Sequence, residues 1–360
     1  MALLYDDAQR AIQREAQRIV AETTDKSVLL GMLEQPGRYD EALWHIAREQ
    51  GWTALAMPEA RGGLGLGLSE LGIVCQAIGA APTGMPFLTA SYGVIQGLLR
   101  SDNADWLPRL ASGEAIGAVA FAEAYEPLPI VPQVEFSAGR LNGVKPGVPA
   151  GSAAVCSLVL ASEGGEPVLV LAELAGMARP AIASYDPSRC HADLNFSDWP
   201  AELLLKGADA LAAARDILAR QAVACAHEQL GGAEALLFLA RDYANSRKAF
   251  GQPIGAFQSV KHRIAELYGL VEIARANCTQ AAEREGSAGF LVAAAAARLS
   301  ATEAYDTAAR DCVQIHGGIG VTWDQGLHLH MRRARSLAIE QGNMLFWEDL
   351  LGRELIGAAA

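Results

Sequence analysis

Two glycine-bearing interruptions in a long helical C-terminal half constrain this chain more than any other feature. The first is Arg241 to Gln258, RDYANSRKAFGQPIGAFQ, broken by Gly251, Pro253 and Gly255; the second is Gln314 to Gly320, QIHGGIG. Around them apolar residues recur at helical spacing. Leu230, Ala233, Leu237 and Ala240 mark one stripe, and Val260, Ile264, Leu267, Val271 and Ala274 the next. Helical segments of about thirty residues joined by short connections predict an antiparallel four-helix bundle. Gly and Pro stop every run, which disfavours a free coiled coil. Glycine corners in such a bundle let backbone approach a ligand closely. Arg247 beside the first corner makes the simplest ligand an anion, a phosphate above all. Residue types alone favour two plain helix–helix turns with an exposed arginine.

The front of the chain is also helical. Ala8, Ala11, Ile12, Ala16, Ile19 and Val20 recur at helical spacing, and a second helix is expected near Tyr39 to Gln50. The run Gly63, Gly65, Gly67 lacks the preceding strand and βαβ unit of a dinucleotide fingerprint. It reads instead as a turn opening a helix capped by Ser69. At Ile116 the pattern changes. Short β-type runs, Ala118 to Phe121, Ser157 to Leu160 and Pro167 to Leu171, alternate with turn signals at Asn142-Gly143, Pro146-Gly147 and Gly164-Gly165. Three domains follow: helical over 1–115, a small β domain over 116–206 and a helical bundle over 207–360.

Composition bounds the function. A chain of 360 residues, 51% hydrophobic, can bury a large core. A net charge of -12 argues against nucleic acid or anionic membrane as a partner. The N-terminal MALLYDDAQR lacks a basic-then-apolar signal, and no apolar run reaches spanning length. Six scattered cysteines in apolar context read as reduced core thiols, so a cytoplasmic location is expected. His328 and His330 are two apart in a helical context and share no face; with His316 they lack a completing ligand set, so metal binding is not expected.

Arg247 to Ile254 (RKAFGQPI) followed by Phe257-Gln258 resembles the RxxFGxPI…FQ signature of the acyl-CoA dehydrogenase family, and Gln314 to Gly320 is similar to that family's Q-x-x-G-G-x-G turn. Pro58-Glu59 with Gly62 to Gly65, and Leu110 to Glu114, extend the resemblance over essentially the whole chain. It implies a mostly α fold with a middle β-barrel-like domain and a C-terminal four-helix bundle. It also implies FAD, an acyl-CoA substrate and α,β-desaturation, in which a carboxylate takes the α-proton while hydride passes to the flavin. The family's flavin spans two subunits, so Arg247, Phe250, Gln258, Gln314, Gly317 and Gly318 would hold the adenosine half of a partner's FAD.

The departures from the family pattern matter as much. Carrying the family's base position forward from Gly317-Gly318 reaches Gln341, and the minority position counted back from Arg247 reaches Gln221. A primary amide has no titratable site near neutral pH and cannot act as base. Glu340, Glu228 and Glu234 remain as fallbacks; on a helix Glu340 would point about a hundred degrees from Gln341, while Glu228 lies about two turns beyond Gln221 and Glu234 further still. After the base position the usual Thr and Gln are Asn343 and Leu345.

In the β domain, Ala122 to Pro127 keeps Glu123 but loses the family's Thr and Gly-Ser-Asp. Lys145 to Pro149 keeps the Lys but loses the aromatic and the Thr. Pro149 has no N–H to offer a flavin carbonyl. Resemblance and departures together favour one subunit of a heteromeric (α2β2) bacterial-type acyl-CoA dehydrogenase, a pairing the family uses for steroid-derived and other cyclic acyl-CoAs in lipid or steroid catabolism. The alternatives are a self-sufficient homomeric flavoenzyme using another carboxylate, and a flavin-free scaffold.

Overall fold

The computed structural model describes residues 5–83, 85, 87–101 and 105–357, with backbone alone at 87. Residues 1–4 of the N-terminal stretch and 358–360 of the expected bundle lie outside the described residues. Helix α1 (Asp7–Thr23) starts on a capping box. The Asp6 carboxylate accepts from the Gln9 N–H at 2.8 Å, and the Gln9 side chain accepts from the Asp6 N–H at 3.2 Å. Ala16, Ile19 and Val20 form its buried stripe. Helices α2 (Lys26–Leu33) and α3 (Glu41–Glu49) follow, the latter capped by the Asp40 carboxylate on the Leu43 N–H. Helix α4 (Leu68–Ala80) begins one residue before the expected Ser69 cap; the Glu70 carboxylate reaches back to the Gly67 N–H at 2.9 Å instead. Helices α5 (Phe87–Leu98) and α6 (Leu107–Ala111) complete the front.

Seven strands form one mixed sheet: β1 (Gly117–Ala120), β2 (Glu135–Ser137), β3 (Arg140–Val148), β4 (Cys156–Glu163), β5 (Glu166–Glu173), β6 (Ala192–Pro200) and β7 (Glu202–Lys206). The order is β6-β3-β2-β4-β5-β7, with β1 parallel to β4. Gly164-Gly165 forms the β4–β5 hairpin turn, with φ of +60° and +89°. The other two expected turns lie inside β3. Asn142-Gly143 and Pro146-Gly147 sit at its two register shifts against β6, so they bend the strand without ending it.

The helical half comprises α7 (Gly207–Ser246), a small hairpin of β8 (Lys248–Ala249) and β9 (Gln252–Pro253), α8 (Gln258–Glu283), α9 (Phe290–His316), α10 (Leu327–Leu337) and α11 (Met344–Gly357). None of the helices among the described residues is long and apolar enough to cross a membrane.

By internal contact the chain forms two compact units. One comprises Met32–Leu71 and Gly84–Ala222 and holds the sheet. Its core gathers Val94, Ile95 and Leu98 of α5, Leu158 and Leu160 of β4, Leu169 and Leu171 of β5 and Ile217 of α7. The other comprises Met1–Gly31, Gly72–Thr83 and Val223–Ala360. In it α8 packs along α9, burying Leu267, Val271, Ala274 and Ala281 of the first and Ala294, Ala297, Ala301 and Ala304 of the second. Val260 and Ile264, at the start of the expected α8 stripe, are half-buried. Alanine at these positions brings helix backbones close. Glycine brings α4 and α7 closer still: a Cβ on Gly79 would lie 1.9 Å from the Glu228 carbonyl oxygen, and one on Gly231 1.9 Å from that of Gln76.

Candidate functional site

The two glycine corners meet in the second unit. After α7 ends, the Arg247 N–H still donates to Tyr243 O at 2.8 Å, and the chain turns through Phe250 and Gly251, both at positive φ (+51° and +85°). Two successive left-handed residues match the twist of a two-residue hairpin, which is what β8 and β9 make. The Ile254 N–H donates to Arg247 O at 2.8 Å and closes the loop. Phe250 is 96% exposed, its ring edge-on to Phe257 at 6.1 Å. Left-handed strain at a non-glycine residue together with an exposed aromatic is the kind of cost retained at binding surfaces. Arg247 is exposed, and its guanidinium has no ion pair or hydrogen bond among the described residues. Gln258, also exposed, is the first residue of α8, whose cap residue Phe257 supplies no side-chain cap. The free N–H groups of that first turn add partial positive charge.

At the second corner α9 stops at His316, and Gly317 adopts φ +62°, ψ -140°, a conformation open essentially to glycine alone. Gly317 and Gly318 are exposed, and a Cβ on either would meet nothing within 4 Å. Gln314, one turn back, is exposed as well. What joins the corners is a contact the sequence reading missed: Tyr243 of α7 stacks on His316 with centroids 4.0 Å apart, and its hydroxyl donates to His316 O at 3.5 Å. The only signal for it was an aromatic one turn before Arg247 and a histidine directly before Gly317.

The expected base positions are built differently from each other. Gln221 is 2% exposed and donates through Nε2 to Thr89 O at 2.9 Å, where Gly93 leaves room for the amide. It is a packing residue between α7 and α5. Gln341 lies in the turn between α10 and α11 at φ +53°, followed by Gly342 at +97°. Its carbonyl accepts from Trp347 Nε1 at 3.0 Å, while its side-chain Oε1 is enclosed with no partner among the described residues. The backbone N–H groups of Gln341 and Gly342 also donate to nothing among the described residues. Strained backbone, an enclosed acceptor and two free donors coincide here.

The fallback carboxylates have other work. Glu228 forms a buried ion pair with Arg333 at 2.7 Å, and Arg333 also donates to Thr83 O. Glu234 accepts from Arg275 at 2.8 Å and from Gln76 at 2.9 Å. Glu340 is 4% exposed in a non-helical turn, so the helical angle expected between it and Gln341 does not apply. In the sheet-bearing unit the two family-like residues pair with each other. Lys145, fully buried, donates to Glu123 at 2.6 Å and to Phe121 O at 3.0 Å. Glu123 in turn accepts from the N–H groups of Gln133 and Val134. Desolvation pulls Lys145 down to about 8 against the opposing pull of Glu123.

His330 bonds the Tyr305 hydroxyl at 2.9 Å, and desolvation followed by the charge of Arg333 pushes it down to about 3. His328 stacks on Trp323. Among the described residues no three potential ligands gather into a metal site, and all six cysteines are buried free thiols.

Known proteins share this architecture. The chain matches the acyl-CoA dehydrogenase N-terminal domain over residues 6–114 and the acyl-CoA dehydrogenase C-terminal domain over 211–355. It is 32% identical to acyl-CoA dehydrogenase IpdE2 of Mycobacterium tuberculosis over 89% of this chain and 88% of that one. It is 30% identical to acyl-CoA dehydrogenase FadE27 of the same organism over 91% and 90%. Among solved structures, the ChsE4-ChsE5 complex from Mycobacterium tuberculosis superposes with a TM-score of 0.88 at 26% identity, covering 98% of each chain. Two matched domains, and relatives matched over about nine tenths of their length, leave one assignment: the chain belongs to the acyl-CoA dehydrogenase family.

Proposed function

We propose that this chain is one subunit of a heteromeric, FAD-dependent acyl-CoA dehydrogenase, and that it completes a partner's flavin site while lacking the base for its own. The observation that carries the reading is the amide at 341. The residue in the strained turn at the family's base position, its side-chain Oε1 enclosed, is glutamine, which cannot take a proton near neutral pH. The rest of the chain supports the same division. The corners keep an exposed, unpartnered Arg247, the outward Phe250 and two open glycines, which fit a dinucleotide's diphosphate and adenosine. Glu123, just beyond β1, and Lys145 of β3 are spent on each other.

When bound, FAD supplies the hydride acceptor. Arg247 would pair with the diphosphate, Gln258 and Gln314 would offer amides, Phe250 an aromatic face, and Gly317 with Gly318 close backbone approach. The free N–H groups of the Gln341 turn suit a thioester carbonyl oxygen, so this chain would seat an acyl-CoA thioester without removing its α-proton. A second acyl-CoA dehydrogenase subunit in an α2β2 assembly, steroid-derived or other cyclic acyl groups and a cytoplasmic setting complete the proposal. The likeness to a two-component complex and to mycobacterial relatives supports it.

Flavin stoichiometry with native mass tests it. Co-expressed with a second acyl-CoA dehydrogenase subunit that bears a glutamate at the base position, the chain should purify as a heteromer with one flavin per αβ pair. Alone it should show no dehydrogenation above background, since a missing general base costs roughly 100–10,000-fold. A stable homotetramer with one FAD on every chain overturns the proposal.

A further inference from the structure

The turn between α10 and α11 is gripped by two side chains from different helices. Arg298 of α9, 1% exposed, donates through Nη2 to Glu340 O at 2.7 Å and to Leu337 O; through Nη1 it donates to Thr302 Oγ1 at 2.9 Å and to Gln229 Oε1. Trp347 of α11, also 1% exposed, donates from Nε1 to Gln341 O at 3.0 Å. Two successive peptide carbonyls, Glu340 and Gln341, are therefore each held by a buried donor. In a trans peptide the C=O and the following N–H point in opposite directions. Holding Glu340 C=O thus aims the Gln341 N–H, and holding Gln341 C=O aims the Gly342 N–H. Those are the two donors without partners among the described residues.

Arg298 is an unusual residue for packing alone. Among the described residues it has no carboxylate partner; its acceptors are an amide, a hydroxyl and the carbonyls at the end of α10. Burying a guanidinium against neutral acceptors carries a desolvation cost that an apolar side chain of similar volume would avoid. Its reward is geometric, a planar fork that fixes several carbonyls at once.

We propose that Arg298 and Trp347 are positioning residues that hold the Gln341–Gly342 N–H pair toward the carbonyl oxygen of an acyl thioester. This rests on the reading of the turn as the thioester's seat. Gln314, at the corner end of the same helix, lies about 24 Å along α9 from Arg298, so the nucleotide-binding corners should not respond.

The test compares octanoyl-CoA with its octyl thioether analogue, which lacks the carbonyl, on the full chain by calorimetry. ADP serves as a probe of the corners. The unaltered chain should prefer the thioester by roughly fivefold, the worth of one hydrogen bond. Arg298→Met and Trp347→Phe should bring that ratio near one and leave the ADP affinity unchanged; Arg298→Lys should retain part of the preference. Trp347→Phe keeps the ring's packing and removes only the donor, so it decides the matter if Arg298→Met fails to fold. A preference that survives both substitutions overturns the positioning role alone. A ratio of one in the unaltered chain overturns the thioester seat and the positioning role together.

Discussion

The Tyr243 ring lies 4.0 Å from the His316 ring with the planes 23° apart, so the last turn of one long helix rests on the last residue of another. His316 is held for this contact by its own helix: its Nδ1–H donates to Cys312 O at 2.7 Å. Two segments that are 66 residues apart in sequence at their first glycines, Gly251 and Gly317, thereby become one surface. Tyr243→Ala should separate them and lower FAD retention by about an order of magnitude, whereas Tyr243→Phe, which keeps the stack, should stay within about threefold. Flavin released on gel filtration of the co-purified complex measures this; equal loss in both variants would assign the role to the hydroxyl.

Arg247→Ala tests the anion contact directly. A charge-assisted hydrogen bond is worth about 1.5–3 kcal/mol, so FAD affinity in the assembled complex should fall by more than tenfold. Because the side chain is exposed and has no partner among the described residues, the melting temperature of the flavin-free chain should hardly move. An unchanged flavin dissociation constant removes Arg247 from the site.

Arg333→Met should do the reverse. It leaves Glu228 buried with its ion-pair partner gone, and losing one side of such a pair costs about 3–5 kcal/mol. Urea titration should show the midpoint displaced far more than for Arg247→Ala. A displacement as small as that of a surface substitution would mean that water reaches Glu228.

Acid should weaken the fold through His227. The residue is 1% exposed, and burial pushes its pKa from 6.5 down to about 4, partly opposed by its bond to Cys278 O and reinforced by Arg275. Between those two values only the unfolded chain holds the proton, so stability falls as pH drops from 6.5 to 4, by about 3 kcal/mol. His227→Gln should flatten the pH dependence of unfolding in that window. An unaltered slope would place the acid sensitivity elsewhere.

The helices were legible because their apolar stripes are long and their ends carry glycine, as at Leu230 to Ala240 and at Gly317. Asn142-Gly143 misled because a glycine free to take positive φ, here +131°, serves a bulge as well as a turn, and only pairing with β6 distinguishes them. The corner residues were legible as a motif, but their union through Tyr243 and His316 was not, since neither residue type announces a stacking partner. Glu123 and Lys145 looked like remnants of a cofactor contact. Twenty-two positions apart, they are brought together only by the fold, and their pairing is a property of burial. Arg298 gave no signal because the carbonyls it holds at the turn, Leu337 O and Glu340 O, are backbone groups, which every sequence contains.

The close approach of α4 and α7 reaches beyond packing. Gly79 faces the Glu228 carbonyl and Gly231 faces that of Gln76, so each helix carries a notch filled by the other's backbone. A pair of reciprocal notches works like a key in a lock with two teeth: sliding either helix by one residue drives a Cβ into a carbonyl. The register of α7 is thereby indexed to the front of the chain, and with it the heights of Glu228, Glu234 and Tyr243 along that helix. Substitutions elsewhere can retune what the corners hold, but one inserted residue between Gln76 and Gly79 would put the two notches out of step.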